Sequence, residues 1–199
     1  MRGDEHVHNV TGTRELVTAR LRLRPWARGD VDAVLGIFGQ PEVTRWLAPA
    51  LAAVLDRGAM GEVLERWIIE HDHTGLPIGR WAVESERAKT VIGAVSLLPL
   101  PPGDNDLEIG WQIAPAAWGH GYGAEAGRAI AHQAFDQGVS EVFAVVRPGN
   151  TRGVATARRV GMEWVGETDK YYGLTLQVYR LTAADLDYPE PAGPRVRGL

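Results

Sequence analysis

Three neighbouring stretches restrict the fold more than anything else in the chain: RWAVESE (80–86), TVIGAVSLL (90–98) and LEIGWQI (107–113). Each runs at the two-residue period of a strand, and only short turn segments, RAK and PLPPGDND, separate them. Strands so closely connected pair as an antiparallel meander. In the last of them Leu107, Ile109, Trp111 and Ile113 share one face, and Glu108, Gly110 and Gln112 the other.

The meander has helical rhythm on both sides. Upstream, RLRLRPW (20–26) reads as a first strand. A helix is predicted over about 30–39, capped by Asp30, with Val31, Val34, Leu35 and Phe38 on its buried side. A second, about 56–71, carries Met60, Val63, Leu64, Trp67 and Ile68 at helical spacing. Downstream come a glycine loop, a helix of about 123–137 ended by Gly138, and the strand EVFAVV (141–146). A helix over 151–160, capped by Asn150 and closed by Gly161, precedes two last strands near 162–167 and 174–181. A hairpin meander followed by strand–helix–strand–helix–strand implies an α/β (mixed α+β) domain: a mixed, mostly antiparallel twisted sheet with helices on both faces. Residues 1–14 are expected to be a flexible leader and 187–199 a Pro/Gly-rich tail.

Composition removes several functional classes. A formal net charge of −4 argues against a nucleic-acid binder, whose footprint is a basic excess. With no cysteine, a disulfide framework, a thiolate zinc site and a cysteine nucleophile are excluded. His71 and His73 lack a nearby third ligand, so no metal is expected and both are read as solvated loop residues. No apolar run has the length of a membrane span, and the N-terminal residues lack a signal-peptide core. The expected location is the cytoplasm, with neither membrane nor nucleic acid as a partner.

The segment WGHGYGAEA (118–126) carries the chemistry. Glycines between strand and helix let backbone N–H groups converge, and the helix adds the positive end of its dipole, so the turn suits phosphate. Gly119, Gly121 and Ala124 formally fit a dinucleotide fingerprint, but APAA (114–117) separates the strand from the loop, and Val146 and Arg147 stand where that fingerprint wants an acid. A different pattern fits better: an apolar strand end at Ile113, a four-residue spacer, then WGHGYG (118–123) opening a helix. This resembles the coenzyme A motif of the GNAT N-acyltransferase superfamily. Trp118 in place of the usual Arg or Gln is similar to the RimJ/RimL-type N-acetyltransferase branch. RLRLRPW (20–26), PEVTRWL (41–47), EIGW (108–111), NTRG (150–153) and VGM (160–162) extend the resemblance, in order, across about 18–183.

The resemblance implies a single GNAT-type domain over 15–186, with a splay between the fourth and fifth of the strands read above. It implies an acyl-CoA, most simply acetyl-CoA, lying across that splay, its pyrophosphate on the N–H groups of Gly119, His120, Gly121, Tyr122, Gly123 and Ala124, with Trp118 also in the CoA-binding loop. The backbone edges of Trp111, Gln112 and Ile113 would pair with the pantetheine arm, and Asn150 would touch coenzyme A as well as cap its helix. The other partner would be an amine, either a protein N-terminus or a small molecule, and a homodimer is among the assemblies the family forms. Succinyl-CoA as donor, or a catalytically weak CoA-binding regulatory module, are the alternative readings.

Attack on a thioester needs a neutral amine. At pH 7 an α-amine is roughly a tenth neutral and a lysine below a thousandth, so deprotonation costs about 1 and 4–5 kcal/mol. Glu108, facing away from the apolar row, is the candidate base on the strand where the family often places a carboxylate; Asp106 is the weaker alternative. Many relatives protonate the leaving thiolate with a tyrosine after the Asn motif, and the RimJ/RimL branch often has Ser three residues after Asn. Here that position is Gly153, and 151–160 holds no tyrosine. Tyr171 and Tyr172 remain as candidate acids, with Thr156 a further hydroxyl; adjacent residues of an extended segment would point oppositely, so one of the two tyrosines enters the cleft. Trp46 and Trp81 are the aromatics expected near an acceptor channel.

Overall fold

The computed structural model describes residues 8–9, 14–47, 56–101, 103 and 106–186. They form one nine-stranded sheet: β1 His8–Asn9, β2 Leu16–Val17, β3 Leu21–Pro25, β4 Gly79–Ser85, β5 Thr90–Pro99, β6 Leu107–Ile113, β7 Glu141–Val146, β8 Glu163–Thr168 and β9 Leu176–Thr182, in the spatial order β1-β2-β3-β4-β5-β6-β7-β9-β8. Every neighbouring pair is antiparallel except β6 and β7, which are parallel. The helices are α1 Val31–Phe38, α2 Pro41–Thr44, α3 Arg57–His73, α4 Tyr122–Asp136, α5 Thr151–Val160 and α6 Ala183–Leu186.

Register decides what each face of the sheet does. Trp81, Val83, Val95, Leu97 and Ile109 pack with Ala126, Ile130 and Ala134 of α4 and with Ala157 and Val160 of α5. On the other face Ala82 and Ala94 meet Val34 and Ile37 of α1 and Met60, Leu64 and Trp67 of α3. Burying both faces of the central strands supplies the main driving force, at roughly 25 cal/mol per Å² of apolar surface. Helix α4 comes close because it is built from small residues: a Cβ on Gly127 would stand 2.9 Å from Val160 Cγ2, and one on Gly123 3.3 Å from Thr156 Cγ2.

Between β6 and β7 a single residue pair, Glu108 with Phe143, holds the ladder. Beyond it the strands part, and the expected splay between the fourth and fifth strands read from the sequence is this gap. The mixed sheet with helices on both faces is as expected.

Some local expectations fail for identifiable reasons. Asp30 does not cap α1. It ends a 3-10 turn (Arg28–Asp30), accepts from the Ala27 N–H at 2.8 Å and grips the Arg24 guanidinium at 2.8 and 2.9 Å, so its oxygens are spent. Asp56 is the cap that works, accepting from Ala59 N–H at 2.9 Å. Leu35 is only half-buried, and Ile37 takes the core position instead. Within the expected leader, His8 and Asn9 pair with Val17 and Leu16, and Arg14 donates to the carbonyls of His71, Thr74 and Ile78. The rest of the leader and the tail lie outside the described residues.

Candidate active site

The splay opens into a cleft of about 520 Å³, walled on one side by α1–α3 and on the other by the glycine loop and α5. Its floor is the polar face of β6. Glu108, Gly110 and Gln112 face it; a Cβ on Gly110 would lie 2.9 Å from Ser96 Oγ, so glycine keeps this floor low.

At the loop, Gly119 (φ +82°) and Gly121 (φ +79°) both take left-handed backbone, which explains glycine at these two positions. Gly121 is the N-cap of α4, and no atom lies within 4 Å of a Cβ placed on Gly119. Ala124 N–H is already taken by the Gly121 carbonyl, so the free donors of this helix start precede it. Arg20, unread in the sequence, clamps the loop: it donates to the His120 carbonyl at 2.9 Å and to Glu125 at 2.7 Å, and sits 4.9 Å over the Tyr122 ring. His120 stacks on Tyr122, with its Nδ1 2.9 Å from the Trp118 carbonyl oxygen. Gly123 serves close packing against α5 and β6.

The edge of β6 is narrower than expected. Ala114 N–H donates to the Ile92 carbonyl, so alternation turns the Gln112 amide groups toward β5 and those of Trp111 and Ile113 toward the gap. Gln112 therefore offers the cleft its side chain rather than its backbone. The Trp118 indole also donates to the Ile113 carbonyl at 2.7 Å, and the Arg152 guanidinium covers the Trp118 ring at 4.2 Å.

Asn150 caps α5, accepting from Gly153 N–H at 3.0 Å, and lines the cleft. A Cβ at 153 would lie 2.7 Å from Asn150 Nδ2, so the fold-back of Asn150 accounts for glycine at this position. Thr156 lines the cleft too, but its hydroxyl donates to the Arg152 carbonyl at 3.0 Å.

Tyr172 and Glu108 meet. The Tyr172 hydroxyl donates to Glu108 Oε2 at 3.1 Å, and both line the cleft. Burial pushes the Glu108 carboxyl up to about 7, against the opposing pull of the Tyr172 hydroxyl, the Val145 N–H and the Arg80 charge. Burial, and then the neighbouring Glu108, raise the Tyr172 phenol, keeping it protonated at neutral pH. Tyr171 points away, donating to Asp106 Oδ2 at 2.8 Å, and Lys170 joins the same oxygen at 2.8 Å. The two tyrosines diverge, although not by extended alternation. Residues 171–174 form a turn closed by Leu174 N–H to the Tyr171 carbonyl, with Tyr172 (φ +55°) and Gly173 (φ +65°) both left-handed.

Trp46 lines the cleft beneath the Arg45 guanidinium, and Trp26, Phe38 and Trp67 extend the aromatic wall. Trp81 does not reach it. It is fully buried on the α4 face of β4, with its indole N–H bonded to the Arg14 carbonyl at 2.8 Å. Nor are His71 and His73 loop residues: both lie in the last turn of α3. His71 is buried edge-on against Trp81, its Nδ1 accepts from Arg80 N–H at 3.3 Å, and burial lowers its pKa to about 4. Among the described residues no three His, Cys, Asp or Glu cluster as metal ligands, and no helix is long and apolar enough to cross a membrane.

Comparison with known proteins accords with this geometry. The family model described as an acetyltransferase (GNAT) domain matches residues 20–163. The Bacillus subtilis protein YkkB is 26% identical over 170 residues, covering 83% of this chain and 94% of its own. An acetyltransferase from Agrobacterium tumefaciens superposes with a TM-score of 0.69 at 23% identity, covering 88% of this chain and 98% of its own. RimJ of Mycobacterium smegmatis, solved in complex with a CoA-disulfide, gives 0.67 at 18% identity and 84% coverage of each chain.

Proposed function

The chain belongs to the GNAT acetyltransferase domain family, and from that premise we propose that it moves an acetyl group from acetyl-CoA to a primary amine by direct attack, with Glu108 as base and Tyr172 as acid. The observation that carries this reading is the Glu108–Tyr172 hydrogen bond inside the splay. A carboxylate poised near 7 takes a proton from an ammonium group efficiently at neutral pH. A phenol that stays protonated can give its hydrogen to the departing thiolate, and the protonated Glu108 then returns one to the phenolate. Of the two protons the ammonium gives up, one leaves to solvent before attack; the other, taken by Glu108 from the nitrogen as the C–N bond forms, ends on the thiol as the C–S bond breaks, and the pair is restored.

Donor and acceptor take opposite sides of the cleft. The pyrophosphate of acetyl-CoA rests on the amides of residues 119–123 at the start of α4, where glycine backbone and helix dipole favour an anion. Its pantetheine arm pairs with the Trp111 and Ile113 backbone facing the gap and passes Asn150. The acceptor enters along the aromatic wall at Trp46; a protein N-terminal α-amine and a small-molecule amine both meet the chemical requirement.

Thiol release from acetyl-CoA, followed across a panel of amines, tests the reading. Turnover with at least one amine is expected, with succinyl-CoA a poorer donor. Gly121→Val places a branched side chain on left-handed backbone at the loop, and weakens CoA binding by more than about tenfold in a folded protein. Unchanged CoA affinity in that variant overturns the donor site. Tight CoA binding with no turnover on any amine favours a regulatory module.

A further inference from the structure

Arg80 is a cation of this cleft whose ion pair, with Glu70, is long. It stands on β4 opposite Ser96, which stands opposite Gly110 on β6, so it shares the polar face that carries Glu108. Its charge acts on both Glu108 and Tyr172. Its Nε is buried without a hydrogen-bond partner. The nearest carboxylate oxygen, on the largely exposed Glu70, is 3.8 Å from that nitrogen, beyond hydrogen-bond length.

Arg24 provides an internal contrast. Through its partner Ala82 it stands on the same face of the sheet, one strand further from β6, and it is satisfied by Asp30 at 2.8 Å and Glu84 at 2.9 Å. The protein can therefore pair an arginine on this face completely, and at Arg80 it does not.

The surroundings of Arg80 are shaped for a ligand. Its guanidinium lies 5.3 Å from the Trp67 ring centroid, a contact that spends none of its N–H donors. It lines both the main cleft and an adjoining pocket of about 240 Å³, to which Glu70, His71 and Thr74 contribute. His71 supplies no competing charge, being buried and neutral, and it holds the Arg80 backbone N–H through Nδ1. A half-desolvated guanidinium with open donors binds a carboxylate or phosphate more strongly than it binds water.

We propose that Arg80 is the acceptor-recognition residue, and that the acceptor is a primary amine carrying a carboxylate or phosphate group, which Arg80 holds while the amine faces Glu108. This rests on the acyl-transfer reading above and adds to it the chemical class of the acceptor. Of the other arginines lining the cleft, Arg152 stacks on Trp118 and Arg159 stands on α5, both on the donor side, while the Arg147 guanidinium is engaged by the Arg45 carbonyl.

Matched acceptors test it. Amino acids are compared with their carboxamides, and aminoalkyl phosphates with the corresponding aminoalkanols, by thiol release from acetyl-CoA. The anionic member of at least one type of pair should show kcat/KM about tenfold or more higher, carried mainly in KM. The two pair types distinguish a carboxylate from a phosphate. Arg80→Met should abolish the preference and Arg80→Lys retain part of it, with CoA affinity unchanged in both as evidence of folding. Equal use of both members by the wild type, or a preference that survives Arg80→Met, overturns the proposal.

Should no amine release thiol, the transfer reading falls, and the anion site is read directly by titrating the same anionic amines against tryptophan fluorescence in the presence of CoA. A saturable change in the wild type that is lost in Arg80→Met supports the site. Its absence in the wild type overturns it.

Discussion

Two tyrosine–carboxylate pairs lie two residues apart and behave in opposite ways. Tyr171 with Asp106 and Tyr172 with Glu108 are each joined by one hydrogen bond, of 2.8 and 3.1 Å. Asp106 sits at the sheet margin, where hydrogen bonds from Lys170 and Tyr171 hold its carboxyl below the usual range. Glu108 sits in the cleft, where burial outweighs its partners and lifts it to about 7. The partners are nearly the same, and the difference in burial is what moves the two carboxyls in opposite directions.

The sharpest way to break this comparison is to neutralise each carboxylate without changing its shape. Glu108→Gln should lower turnover by roughly 10²–10⁴-fold near neutral pH with CoA affinity kept, whereas Asp106→Asn should leave turnover within about twofold and cost less than about 1 kcal/mol of stability. Steady-state kinetics beside a denaturant titration reads both. Comparable losses from the two variants would erase the distinction.

The hydroxyls come next in size. Tyr172→Phe should reduce turnover by about 10–100-fold, with a deficit that shrinks as pH rises through the thiol pKa near 8.5, because a thiolate then leaves without a proton. Tyr171→Phe should instead lose about 1 kcal/mol of stability through its bond to Asp106 and remain nearly silent in turnover. Equal, mild losses from both would transfer the acid role to water or to Thr156.

The smallest effect is in stability against pH, and here the two carboxylates differ in sign. The folded-state pKa of Glu108 is raised, so its contribution is fully present below the ordinary glutamate range and is lost as pH rises through about 7. That of Asp106 is lowered, so its contribution is present above the ordinary aspartate range and is lost as pH falls below it. Glu108→Gln should therefore be more stable than wild type by about 1–3 kcal/mol at pH 8, with the gain vanishing toward pH 4. Thermal melts at pH 4, 6 and 8 measure it. A gain that does not change with pH would mean the Glu108 carboxyl is not desolvated.

Much of this architecture can be read locally. The alternation LEIGWQI puts Glu108 and Gly110 on one face before any partner strand is known, because strand parity is a property of the backbone. The bounds of β6, β7 and α5 follow from the same local signals. Arg80 is different. Its place beside Glu108 depends on two successive registers, β4 with β5 and β5 with β6, which no single segment encodes. The signal within the segment is an arginine at the start of the strand, next to Trp81 of opposite parity. The aim of Tyr172 was hidden for another reason. It follows from a left-handed φ that sequence favours only at Gly, Asn or Asp, whereas a tyrosine there is a costly conformation held by its surroundings. Asp30 reads as a cap in sequence because its competing partner, Arg24, lies six residues back on a strand.

The single bridge between β6 and β7 makes Glu108 the apex of a wedge. If the strands breathe about that point, displacement grows with distance from it: at Ile113, five residues or roughly 16 Å along the strand, each 5° of opening moves the edge by a little over 1 Å. At the apex the same motion is close to zero. The mouth of the wedge can thus yield to thioesters of different girth while the carboxylate at its pivot keeps its distance to Tyr172. Tolerance and alignment reside at opposite ends of one lever.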